Sequence, residues 1–240
     1  MNTPPPGPTG PTGPLWPLWP LWPLALLAAL LPLAGTALAF VLSVRLGLIP
    51  DCNPFLDGCV SISRAGRHGL PNILFRALLL PAAVLQALCW MLCTPWLHTL
   101  GRGATRTARV LPWLGLAAGI CLVLYGSFLG TEGEGYRFMR RYGTALYFGL
   151  TCIGMLLLAQ AVRQAQVHGV ALALLLPCAG LPLLGLAHVL LPLVWHDPAA
   201  KDVLENVTEW WGGALFTAFF GALAWGWWRT RFRLRPEAAP

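Results

Sequence analysis

An all-α bundle of six membrane-spanning helices is the fold class this sequence predicts, and three observations predict it. Hydrophobic residues make up 57% of the chain and charged residues 10%, with a mean hydropathy of +0.64. A soluble domain has no way to bury that much apolar surface. The apolar residues fall into six runs, roughly 22–44, 73–93, 110–130, 142–161, 170–194 and 207–228, each about the 20 residues that a bilayer core demands. Between the runs no segment is long enough for a soluble core, so residues 22–230 read as one membrane domain.

Residues 1–21 read as a Pro- and Trp-rich tail. Pro4 to Pro14 cannot be helical, and Leu-Trp-Pro then repeats over residues 15–23. A period of three matches polyproline II, which would align Trp16, Trp19 and Trp22 on one edge. Tryptophan favours the membrane interface, so the repeat reads as an anchoring collar or as a plain tether. Ala37-Leu38-Ala39 resembles a signal-cleavage box, but the Pro-rich lead lacks a basic n-region, which argues against cleavage. Pro71 suits the first turn of the second span. Pro177, Pro182 and Pro192 interrupt the fifth, and a basic tail, 231–240, follows the sixth.

The charges are distributed unevenly. Every acid except Glu237 lies at one end of the six spans: Asp51, Asp57, Glu132, Glu134, Asp197, Asp202, Glu205 and Glu209. The bases divide evenly between the two ends, so the positive-inside rule is a tie. Arg229, Arg231, Arg233 and Arg235 follow a span directly with no acid among them, and Arg102, Arg106 and Arg109 share their end. That end is expected to be cytoplasmic with both termini, and the acid-rich mouth extracytoplasmic. The net charge of +7 is therefore a membrane-topology signal and not a nucleic-acid one. Every base except Lys201 is arginine, which suggests a GC-rich genome; with the short loops, it points to a bacterial inner membrane.

The mouth is expected to be built from the loop of residues 61–76, the 132–141 loop and the 197–209 segment. The first contains Ser63, Arg64, Gly66, Arg67, His68, Pro71 and Arg76. Arg76 sits about a turn inside its helix, where it snorkels or meets an acid. Ile62, Ser63, Gly66, Pro71 and Phe75, with Glu209-Trp210 at the start of the last span, resemble the Frag/DRAM/Sfk family of six-span membrane proteins. That family includes the damage-regulated autophagy modulators and a Golgi factor in lipid remodelling of GPI anchors. The resemblance covers about residues 24–230, with specific matches in these two strings. It departs at Arg64, where many relatives carry an acid, and at Arg140, Arg141 and Tyr142, where many carry a histidine. It implies the six-span fold and a role in membrane-lipid homeostasis; bacteria generally lack GPI anchors, so the Golgi factor's task does not carry over as it stands.

The last span points the same way without the family. Asp202, Glu205 and Glu209 share a helical stripe that continues through Gly213, Thr217 and Gly221. Small residues mark the face on which membrane helices pack. A carboxylate at the depth of Glu209 requires a partner: Arg76 or Arg140 first, then His188 or Arg141. The resulting mouth of paired charges, with Glu132 on its rim, reads either as an internal brace or as a lipid-headgroup site in which arginine meets phosphate. The expected partners are membrane lipids and possibly another membrane protein, with no cofactor.

Catalysis is the less favoured reading. His68, His188 and His196 share the mouth, which keeps a metal-dependent lipid hydrolase or acyltransferase as the alternative reading, but no two are spaced as a metal-binding helical pair, so no metal site is expected. Ser61 and Ser63 lack a nucleophile elbow. Cys52 and Cys59, in a turn-rich outer loop, are disulfide candidates. Cys89 and Cys93 share a helix face as buried small apolar residues.

Overall fold

The computed structural model describes residues 19–103, 105–194 and 197–233. The Pro-rich segment before Trp19, His196, and the tail from residue 234 lie outside the described residues. Among the described residues seven helices account for the fold: α1 (Trp22–Arg45), α2 (Ile62–Ala65), α3 (Gly69–Thr99), α4 (Arg106–Phe128), α5 (Glu134–Gln164), α6 (His168–Val194) and α7 (Pro198–Arg229). The fold is all-α, a helical membrane bundle.

The long helices begin where the sequence supplies a start signal. Pro23 sits in the first turn of α1, where its missing N–H costs nothing. The third Leu-Trp-Pro repeat therefore opens a helix and does not extend a polyproline edge. Thr105 caps α4 by accepting the Ala108 N–H, and Asp197 caps α7 by accepting the Ala199 N–H at 3.0 Å. Three of the helices outrun the expected spans. At 1.5 Å per residue α3, α5 and α7 each exceed 45 Å, roughly, against a hydrocarbon core of about 30 Å. Their extra turns carry the charged residues, so Arg137, Arg140 and Arg141, expected in a loop, lie on the first turns of α5.

Five helices, α1 and α3–α6, are long and apolar enough to cross a membrane. The expected sixth span, α7, is equally long and packs between α1 and α6; its tryptophans and glycines lower its hydropathy. Each long helix packs on the next in the order α1, α3, α4, α5, α6, α7 and back to α1, which closes a ring. Outward-facing residues such as Leu27, Val84, Ile120 and Leu176 are apolar, as lipid contact requires.

In one half of the ring the interior is solid. Trp90 of α3 stacks on Phe219 of α7 at 5.8 Å and meets Phe220 edge-on at 6.0 Å. Gly115 of α4 and Gly154 of α5 let that indole in: a Cβ on Gly115 would lie 2.0 Å from the Trp90 Cβ. Gly115→Ala is therefore expected to force α3 and α4 apart at a cost of about 1–3 kcal/mol, read as a lower thermal midpoint in detergent. At the same end Trp96 donates to the Thr230 hydroxyl at 3.0 Å, and Pro20 bridges to Arg233. In the other half, α6 carries no buried side chain among the described residues beyond Cys178, and the ring interior is open.

Candidate functional site

The segment between α1 and α3 forms a lid on the open half of the ring, and its backbone is held by side chains from the helices beneath. From α7, Asn206 donates to the Gly58 carbonyl at 2.7 Å, Trp210 to Val60 at 2.8 Å and Trp211 to Phe55 at 3.1 Å. Ser43 of α1 donates to the Ala65 carbonyl at 2.7 Å. Asn72 of α3 reaches both Gly66, at 2.8 Å, and Leu129 at the end of α4, at 3.1 Å. Cys52 and Cys59 are joined as a disulfide within the same lid. Gly58 is the residue that allows the close fit, because its φ is +58° and a Cβ there would meet the Val203 carbonyl. Asn206, although in a glycosylation pattern, is buried and committed to Gly58. Asn206→Ala is expected to leave that carbonyl unpaired, destabilising the protein by about 1–3 kcal/mol as read by thermal unfolding.

Within the lid, Ser61 caps the short helix α2 by accepting the Arg64 N–H at 3.1 Å. The next donor, the Ser63 backbone N–H, points at α7 and meets Glu209 Oε1 at 3.1 Å. This corrects the expected pairing. Among the described residues Glu209 forms no ion pair with Arg76, Arg140 or Arg141, and the single salt bridge is the exposed Lys201–Glu205 contact at 4.0 Å. An exposed pair of that kind contributes little. Among the described residues Glu209 is met by a backbone donor and not by an arginine side chain.

A cavity of about 270 Å3 lies against Glu209. Arg67 from the lid and Arg137, Arg140 and Arg141 from α5 line it, with Ser63 and Thr144. Arg140 is already in use, donating to the carbonyls of Phe128 and Thr131 at the end of α4. The side chains of Arg67, Arg137 and Arg141 make no hydrogen bond among the described residues, so three guanidinium groups face the cavity with donors to spare.

Of the expected mouth residues, Ser63, Arg67, Arg140, Arg141 and Glu209 come together here. Arg64, His68, Glu132, Asp202 and Glu205 are exposed and line no part of it, and neither does the half-buried Arg76. Asp202 and Glu205 share the Glu209 stripe, but their side chains are exposed to the outside of the fold. The His188 side chain and all of His196 lie outside the described residues. No group of three His, Cys, Asp or Glu side chains able to hold a metal occurs among the described ones.

Beneath the arginine cavity, and sharing Tyr125, Thr144 and Glu209 with it, is a mainly apolar chamber of about 80 Å3. Phe75, Leu79, Leu122 and Phe216 supply much of its apolar lining, and Thr36, Gln86 and Thr217 also face it. At its floor the Tyr147 hydroxyl donates to Gln86 Oε1 at 2.9 Å, and Gln86 Nε2 donates to the Ala28 carbonyl at 3.2 Å. These two residues were missed in the sequence, although a lone glutamine inside an apolar span is a signal in itself. Arg137 and Tyr125 were missed as well.

No family model, curated protein or solved structure matches the chain. The geometry alone carries the functional reading.

Proposed function

We propose that the protein is an integral membrane protein that binds a phosphate-bearing lipid headgroup at the arginine cavity, in support of membrane-lipid homeostasis. The observation that carries this reading is three uncommitted guanidinium groups, Arg67, Arg137 and Arg141, gathered over one carboxylate at the top of an apolar chamber. Guanidinium pairs with phosphate through bidentate, charge-assisted hydrogen bonds. Glu209 keeps the cavity from being uniformly basic and offers an acceptor to the ammonium of a zwitterionic head. On this reading the lidded mouth faces the outside of a bacterial inner membrane, and the end carrying Arg102, Arg106, Arg109, Arg229 and Arg231 faces the cytoplasm.

Kinship with the Frag/DRAM/Sfk proteins belongs to the same proposal. Its support is that the two strings carrying the resemblance adjoin in space, through the Ser63–Glu209 hydrogen bond and the approach of Ile62 to Gly213.

The test is a titration of short-chain phosphatidylglycerol and phosphatidylethanolamine into the full chain in nonionic detergent. Both are expected to bind saturably and to compete. Glu209→Gln should tighten the anionic lipid and weaken the zwitterionic one, each by about tenfold, the equivalent of one charged contact. Absence of saturable binding by either lipid overturns the proposal.

A further inference from the structure

Apolar space inside a membrane protein has no reason to stay empty. Most of the surface the chamber presents is apolar and offers water few partners, and a void forfeits the dispersion contacts of its wall atoms. The chamber's wall is also incomplete on one side. Between α1 and α7 lies a cleft of about 160 Å3, reached past Leu33, Ala37 and Ala214. Pro32, Thr36, Ile62, Gly213 and Thr217 line both the cleft and the chamber, so single side chains separate the two. No charged residue lines the cleft. Small residues face the seam: Gly213 carries no side chain, and Ile62 of the lid packs against it, its Cδ1 3.2 Å from where a Cβ would lie.

We propose that the chamber holds one acyl chain of the bound lipid, threaded sideways from the bilayer through the α1–α7 cleft while the phosphate sits on the arginine cavity. This rests on the headgroup reading above. A head docked over Glu209 has the roots of its chains at the top of the chamber, inside the ring. The chain must pass either down into the chamber or out across the wall. A cleft with no charged lining, and only the hydroxyls of Thr36 and Thr217 among its apolar residues, is the place where hydrocarbon crosses at least cost in polar desolvation. The chamber runs roughly 10 Å along α7 from Glu209 to Phe216, at 1.5 Å per residue, before Trp90 and the Gln86–Tyr147 bond close it. That depth takes part of one chain and no more, so the second chain stays outside.

The experiment uses the full chain in nanodiscs doped with phosphatidylglycerol that carries a diazirine midway along one chain, with the photolabelled residues mapped by mass spectrometry. Label is expected on Gln86, Leu122, Phe148 or Phe216, and excess unlabelled lipid should remove it. Ala214→Phe, which fills the cleft and touches neither chamber nor arginines, should cut chamber labelling at least tenfold. Binding of glycerophosphoglycerol, the same head without chains, should stay unchanged. Label confined to outward-facing residues such as Leu27 and Ile120, with glycerophosphoglycerol still bound, overturns the chain inference and leaves the headgroup reading standing. Failure of the wild type to bind glycerophosphoglycerol overturns both. Should Ala214→Phe fail to fold, the wild-type map decides between these results.

Discussion

Replacing Trp210 with alanine is expected to destabilise the protein by about 3–5 kcal/mol, the range for removing a large buried aromatic, and to release the lid. Trp210 is 6% exposed. Its ring packs edge-on against Phe40 of α1 and Phe55 of the lid, both at 5.4 Å, while its indole N–H holds the Val60 carbonyl. One side chain thus joins α1, α7 and the lid. Neighbouring Trp211 repeats the arrangement with Phe55 at 5.3 Å, but it is 44% exposed, and its loss should cost far less. Thermal unfolding in detergent reads the first effect. Limited proteolysis between residues 46 and 68 reads the second, with cleavage in Trp210→Ala and resistance in the wild type. Equal midpoints for the two alanine variants would show that the lid is held by something other than the Trp210 anchor.

The second large effect is on lipid affinity. Arg67→Gln, Arg137→Gln and Arg141→Gln together should weaken binding of short-chain phosphatidylglycerol at least a hundredfold. Each guanidinium contact to a charged group contributes roughly 1.5–3 kcal/mol, and contacts to one phosphate overlap, so the three do not simply add. Folding should survive, because none of the three side chains holds another part of the chain among the described residues. Arg140→Gln is the informative contrast. Its guanidinium secures the Phe128 and Thr131 carbonyls at the end of α4, so this substitution should lower the thermal midpoint first and affinity second. Raising salt should mimic the triple substitution in part, as the open cavity leaves its charges to be screened.

The helices were legible in the sequence because a bilayer imposes length and apolarity on every span, and both can be read directly. Pro71 in the first turn of α3 was legible for a local reason: the fixed φ of proline acts within a single turn. The partner of Glu209 was not legible. The search was for a cation of opposite charge, whereas the carboxylate meets the Ser63 N–H, and a backbone donor leaves no mark in a sequence. Arg140 misled for the related reason that its partners are carbonyls. The Asp202, Glu205 and Glu209 stripe was read correctly as one face, but a stripe does not say which of its side chains are exposed. The chamber depends on how six helices close around Trp90, a non-local fact; only Gln86, polar and alone in its span, marked the place beforehand.

A cryo-EM map of the protein in nanodiscs containing phosphatidylglycerol tests the central claim most directly. The account predicts headgroup density within hydrogen-bonding distance of Arg67, Arg137 and Arg141, above Glu209. An arginine cavity without lipid density in a map that resolves these side chains, with lipid ordered only on the outer surface of the ring, would contradict it.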